Sequence, residues 1–254
     1  MPTSARILSG TFVVLSLFLW FIATVGEAER RMISPAVLPS PFEVFGSLKS
    51  LAIERGLIPA IAATLARVLA GFTLAIALGV PLGIAAASWR GIEAFVHPAM
   101  IALRNVPIAA LIPITLLWFG IDETQKVMFI FLSCLSFVFS DACAAVLNVP
   151  ERYVDTARTL GASERQIVLK VLVPLSLPEI FASLRALFGL AFGYIMLAEL
   201  INARTGLGAL LNTSQRRGLF EDMYMTLIII GLLAWLIDKL LGLLQKWLFP
   251  YKNA

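Results

Sequence analysis

The run VMFIFLSCLSFVFSDACAAVL, residues 127–147, decides how this chain folds. Its one charged residue is Asp141, and its apolar positions follow one another without the alternation of a half-buried strand. A stretch of about 20 such residues crosses the hydrocarbon core of a bilayer as an α-helix, the conformation that satisfies its own backbone groups where there is no water. Five further windows have the same character, at 7–25, 61–87, 101–119, 180–201 and 223–247. Hydrophobic residues make up 59% of the chain and charged residues 14%, against roughly 25% in soluble domains, and the mean hydropathy is +0.90. The expected fold is all-α and polytopic, with about six transmembrane helices in one domain over residues 1–254. Continuous apolar runs exclude a membrane β-barrel. The 7–25 window follows Arg6 as a signal peptide would, but its core is nearly twenty residues long and no clear Ala-x-Ala site follows, so it is expected to stay as a helix.

Directly after that run the chain changes character: ERYVDTARTLGASERQIVLKVLVPLSLP, residues 151–178, holds 7 of the 36 charged residues. Pro150 suits a helix start, Tyr153, Val154, Ala157 and Leu160 recur at helical spacing, and Gly161 suits a left-handed helix end. Ser163 with Gln166 forms a capping-box pattern for a second helix, which Pro174 and Pro178 are expected to stop or kink. Periodicity alone leaves two readings open, a helix resting on lipid headgroups and a helix that engages a soluble partner.

Six spans put both termini on one side. With the N-terminus cytoplasmic, inner segments hold eleven Lys and Arg and outer segments eight, so the positive-inside rule places the 151–178 segment in the cytoplasm. Anionic lipid accounts for the isoelectric point of about 9.3, and no basic run suggests nucleic-acid binding. The segment 26–59 is too charged to span and belongs outside, where Phe42, Val44, Phe45, Leu48 and Leu51 make an interfacial helix. The outer loop 202–222 suits contact with another protein, a re-entrant gate or plain solvation.

Enzyme chemistry finds no foothold. The phosphate-cradling G-x-x-x-x-G-K-[ST] loop, the G-x-S-x-G elbow and the H-E-x-x-H pair are absent from the sequence, so ATP hydrolysis is not expected of this chain. Cys134 and Cys143 lie about 180° apart on one helix and cannot pair, and the one histidine, His97, lies in another segment, so no metal site is expected.

Three ionisable residues fall at membrane depth, where a charge costs at least ~2.5–3.5 kcal/mol and calls for a partner. Arg67 and Glu199 come out at comparable depths, either as an ion pair locking two helices or as a pore-facing gate or anion contact. Asp141 lies deeper, with Arg104 or Arg185 as possible partners. Gly79-x-x-x-Gly83 and Gly189-x-x-x-Gly193 permit close helix approach, expected within the bundle. Asn105, Pro107 and Pro113 predict a broken third helix. That helix and the fifth are the pore candidates, and the few polar residues expected along a pore are Asn105, Thr115, Ser136, Ser140, Tyr194 and Asn202.

The 151–178 segment also resembles a known signature. Asp155, Thr156 and Ala157, three residues, Gly161, nine residues, then Val171, Leu172, Val173 and Pro174 match E-A-A-x3-G-x9-I-x-L-P of binding-protein-dependent ABC importer permeases, with Asp for Glu, Thr for Ala and Val for Ile and Leu. Leu38-Pro39-Ser40-Pro41, the run from Thr64 to Phe72, the run from Gly79 to Gly83, Leu116 to Ile121 and Gly206-Leu207-Gly208 are similar to the nitrate, taurine and alkanesulfonate branch. The resemblance implies a type I importer permease with the MetI-like fold in the bacterial inner membrane. It implies that Asp155, Thr156, Ala157, Arg158, Leu160, Gly161 and Pro174 belong to a coupling helix and its loop. The implied partners are two ATPase subunits holding ATP and Mg, a periplasmic solute-binding protein and a second, identical copy, with no cofactor on this chain. A carrier driven by an ion gradient is the alternative class; six spans without an evident repeat, together with the signature, speak against it.

Overall fold

The computed structural model describes residues 3–26, 31 and 33–253; the side chains of residues 3–7, 9, 202, 252 and 253 fall outside that description. Regular structure among the described residues is entirely helical. Helix α1 (Thr3–Ala23) comes first, and its stretch Gly10–Ala23 is apolar. Two short helices, α2 (Pro41–Gly46) and α3 (Leu48–Ile53), precede α4 (Leu57–Ser88), α5 (Arg90–Asn105), α6 (Leu111–Phe119) and α7 (Glu123–Leu147). Helix α8 (Glu151–Thr159) and the one-turn α9 (Glu164–Ile167) lead through a π turn (Val168–Leu172) into α10 (Val173–Asn202), followed by α11 (Leu207–Arg216) and α12 (Phe220–Leu248). Four segments are long and apolar enough to cross a membrane: α4, α7, Glu164–Ile201 and α12. Helices α5 and α6 make a fifth if their pair, bent by 94°, counts as one span.

That bend lies where the sequence predicts a break. A residue before proline is pushed out of the helical region, and Val106 takes φ −70°, ψ 127° ahead of Pro107. The 101–119 window is therefore two pieces, and α6, with nine residues, is too short to span alone. Pro113 sits in the first turn of α6, where its missing N–H removes no bond.

By contrast, Pro174 and Pro178 do not stop the helix that the capping box opens. The chain widens into a π turn over Val168–Leu172 immediately before Pro174 and runs on as α10. The wider turn makes room for a ring that would otherwise strike the carbonyl four residues back.

The chain divides into two compact units, residues 1–62 with 203–232 and residues 63–202 with 233–254. In the first, Trp20 Nε1 donates to Pro39 O at 2.9 Å, Phe21 and Phe42 meet edge to face, and Tyr224 Oη donates to Val37 O at 2.7 Å. The expected interfacial helix is two short ones, divided at Gly46 and Ser47. Val44 and Leu51 are fully buried, while Phe42, Phe45 and Leu48 stay exposed. Glu43 is the N3 residue of α2's capping box, its Oε2 accepting from Ser40 N at 2.7 Å, and it also receives Arg31 in a two-pronged ion pair at 2.8 and 3.0 Å. The guanidinium holds the Glu43 carboxyl down at about 2.

The second unit is built on a close approach of α4 to α7. A Cβ on Gly71 would stand 2.5 Å from Val127 O, one on Gly79 2.9 Å from Val138 Cγ1, and one on Gly83 2.5 Å from Phe139 O. Glycine is what lets these two backbones touch, as the Gly79-x-x-x-Gly83 spacing predicts. Helix α10 packs on α7, and Phe129, Ile130, Phe139, Phe192 and Ile195 fill this core at less than 2% exposure. The other spacing behaves differently: a Cβ at Gly189 or Gly193 would meet nothing within 4 Å.

Candidate functional site

Helix α8 begins after Pro150, which occupies the N-cap with φ −57°, and none of its residues is buried. Val154 and Ala157 are half-buried; Tyr153 and Leu160 point outward, Leu160 at 81% exposure. The helix ends in a Schellman motif: Gly161 N donates to Arg158 O at 2.9 Å and Ala162 N to Ala157 O at 3.0 Å, with Gly161 at φ +80°. A Cβ on Gly161 would find open space, so the left-handed backbone, not crowding, is what calls for glycine.

The chain then turns into α9, where Ser163 N donates to Gln166 Oε1 at 2.9 Å in the expected capping box. Arg158 bridges the two helices, 3.9 Å from Asp155 and 3.6 Å from Glu164. All three side chains are more than half exposed, so these pairs orient the loop and stabilise it by less than about 1 kcal/mol each. Thr156 and Thr159 spend their hydroxyls on the carbonyls of Arg152 and Asp155, at 2.7 and 2.9 Å. Ile167 and Val168 anchor the far side of the turn in the core, while Leu169 faces out. The product is a short, exposed helix with an apolar tip, set at a fixed angle on a glycine joint and rooted in α10, a form suited to seating in a groove of another protein and transmitting force.

A second constellation lies among α4, α7 and α10. Arg67, 3% exposed, donates Nη1 to Glu199 Oε1 at 2.7 Å and Nη2 to Glu123 Oε1 at 2.8 Å, with Nε also on Glu123. Thr64 Oγ1 donates to both oxygens of Glu199, at 2.9 and 3.0 Å, and Lys126 Nζ sits 3.6 Å from Glu123. The sequence brings Arg67 and Glu199 together; it gives no notice of Glu123, which lies just outside the apolar window of α7. Arg67, Lys126 and Glu199 are buried and Glu123 reaches them from a side chain that is 65% exposed, so two cations meet two carboxylates and the buried charges are compensated. With both prongs engaged, the Arg67 guanidinium is held between helices.

A family model described as "Binding-protein-dependent transport system inner membrane component" matches residues 79–252. The chain belongs to this family. Among the curated relatives of this permease is the taurine transport system permease protein TauC of Escherichia coli (strain K12), 32% identical over 95% of this chain and 88% of that protein. The putative aliphatic sulfonates transport permease protein SsuC of Bacillus subtilis (strain 168) is 28% identical over 88% and 81%, and the bicarbonate transport system permease protein CmpB of Synechococcus elongatus is 27% identical over 91% and 85%. Among solved structures, the MetNI methionine ABC transporter in inward-facing conformations aligns with TM-score 0.67 at 20% identity, covering 77% of this chain and 97% of that one. An amino acid ABC transporter aligns with TM-score 0.67 at 18% identity, covering 78% and 97%. The fold is thus that of MetI-type permeases. This permease is a membrane-embedded transport component of an ABC importer, not an enzyme, and importers of this class work with ATPase and binding-protein partners.

The other expected site residues of the permease are scattered. Asn105 is exposed at the end of α5, Tyr194 is half-buried on α10, and the Asn202 side chain lies outside the described residues. Among the described residues Asp141 makes no ion pair with either expected partner, although Arg104 lies near enough for its charge to act on Asp141. Arg185 is taken by Asp238 of α12 in a two-pronged pair at 2.6 Å, and Arg104 stacks on Phe137, 5.3 Å from the ring centre. The same Arg185 guanidinium explains Gly242, where a Cβ would stand 2.8 Å from Nη1. Thr115 and Ser136 are buried; Thr115 accepts from Gln125 Nε2 at 2.9 Å, and Ser140 donates to Ser136 O at 2.8 Å.

Proposed function

We propose that this permease forms the pathway for a small polar anion of the sulfonate, taurine or nitrate type, delivered by a periplasmic solute-binding protein, and that α8 with the Gly161 joint couples it to a cytoplasmic ATPase. The observation that carries this reading is the 148–178 loop: an exposed amphipathic helix ended by a left-handed glycine and rooted through a capped turn in α10. Asp155, Thr156, Ala157, Arg158 and Leu160 face or brace the partner, Gly161 sets the angle, and Pro174 with the π turn ties the loop to α10. The relatives named for taurine, sulfonates and bicarbonate support the anionic class of solute.

The mechanism is a two-state shift. The ATPase dimer, which binds the ATP and Mg, closes; each half carries a gripped α8 with it; and the displacement passes into the bundle, exchanging inward-facing for outward-facing states. The working unit on this reading is two identical permease copies, two ATPase subunits and one binding protein. Both termini are cytoplasmic, and residues 26–59 form a periplasmic amphipathic segment. Arg67 and Glu199 hold helices in register, and Asn105, Asp141 and Tyr194 face the pathway.

Co-expression with the neighbouring transport genes and purification through a tag on this chain tests the coupling role. Recovery of an ATP-binding subunit that alanines at residues 156 and 158–160 abolish supports it. Recovery of no such subunit in mild detergent, or recovery that those alanines leave intact, refutes it.

A further inference from the structure

The first unit contains a cavity of about 490 Å³ between the segment at Glu54 to Ala60 and α11 with its flanking turns. Three arginines line it, Arg55, Arg204 and Arg217, against one acidic residue, Glu54, whose carboxylate accepts from Ser50 Oγ at 3.3 Å. Among the described residues no carboxylate lies within ion-pair distance of Arg204 or Arg217, and both are exposed. Arg55 is three-quarters buried, and its Nε stands 3.5 Å from the buried Asp222 Oδ2 as an ion pair in which neither atom makes a hydrogen bond. Thr213 and Ser214 add hydroxyls to the wall, and Gly206 brings the positive end of the ten-residue α11 to it.

Asp222 offsets the Arg55 charge, so the surplus is carried by Arg204 and Arg217 against Glu54, which leaves a net positive wall. Guanidinium forks match planar or tetrahedral oxyanions through two parallel hydrogen bonds. The volume is in the range of small-molecule sites and leaves room for water around a solute of a few non-hydrogen atoms.

We propose that this cavity is a binding subsite for a small oxyanion, of sulfonate or carboxylate class, gripped by Arg204 and Arg217 with Arg55 behind them. The subsite rests on the importer reading above, which makes a small anion the cargo, and it gives that anion a place to pause on the first unit. Because Arg204 and Arg217 make no ion pair with a described residue, replacing them removes the grip without removing a described ion pair.

The test uses the full-length permease in nanodiscs of phosphatidylcholine, titrated with 2,2,2-trifluoroethanesulfonate and followed by the ¹⁹F linewidth. The expected result is saturable broadening in the native chain and at least tenfold weaker binding in Arg204→Gln/Arg217→Gln, with thermal unfolding unchanged. The control Arg90→Gln/Lys246→Gln, which removes the same net charge elsewhere, should bind as the native chain does. No saturable broadening in the native chain, or an equal loss in the control, overturns the subsite. Broadening that phosphatidylglycerol discs abolish also overturns it, because a lipid headgroup is then the occupant. A native chain that fails to bind the probe yet still recruits its ATPase loses the subsite and keeps the importer reading; one that recruits no ATPase loses the importer reading whatever the probe does.

Discussion

Arg67 answers to two carboxylates from two helices, and this changes what its replacement should do. Removing one partner of a buried pair leaves the other charge uncompensated, at a cost of about 3–5 kcal/mol. Arg67→Ala is therefore expected to lower the unfolding transition steeply in detergent, and Glu199→Gln to do less, because Glu123 remains on the guanidinium. The exchange Arg67→Glu with Glu199→Arg is expected not to restore stability, since it sets a new carboxylate against Glu123; adding Glu123→Gln should recover much of the loss. Thermal unfolding of the four variants checks this. Glu43 gives a second case, with a pH sign. Its carboxyl is held at about 2, chiefly by the hydrogen bonds from Arg31. A depressed folded value means that the stabilisation is fully present above the ordinary carboxylate pKa and is lost as pH falls towards 2. Hydrogen-exchange protection factors in residues 41–53 should hold at pH 5 and fall steadily below it, and Glu43→Gln should remove most of that dependence.

At the scale of elements, the glycines divide by what they face. Gly83 has Phe139 O where a Cβ would go, so Gly83→Ala must push α4 off α7 and should cost about 1–3 kcal/mol. Gly189→Ala meets nothing within the chain and should leave the isolated permease as stable as before, by the same unfolding assay. Both small-residue spacings look alike in sequence, which records that a helix could approach closely but not which neighbour does. Likewise the break at Pro107 was legible, because a proline acts on the residue before it wherever it stands. The π turn before Pro174 was not: a proline that would end an α-helix is tolerated when the preceding turn widens, a choice settled by the packing of Ile167 and Val168 in the core. The division of residues 41–53 into two short helices escaped for a similar reason, since an amphipathic stripe specifies a face and not its continuity.

At the scale of the whole molecule, apolar windows of about twenty residues located the spans, and the polar interruption at 151–178 located the exposed helix that a soluble partner can grip. Depth matching found Arg67 and Glu199. It missed Glu123, because a residue just beyond an apolar window reads as solvated until the fold brings a buried cation to it. The cavity at Arg55, Arg204 and Arg217 was equally hidden, its walls lying about 150 residues apart in the chain. In the proposed mechanism α8 transmits ATPase motion through the Gly161 joint. A left-handed backbone costs a residue with a side chain roughly 1–2 kcal/mol, enough to reset the angle of an exposed helix while the spans stay folded. The most direct measurement is ATP hydrolysis by the complete complex in proteoliposomes, with loaded binding protein added, comparing the native chain with Gly161→Leu. Normal assembly with loss of stimulated hydrolysis and of solute uptake is the expected result; assembly with both activities intact would contradict the coupling role.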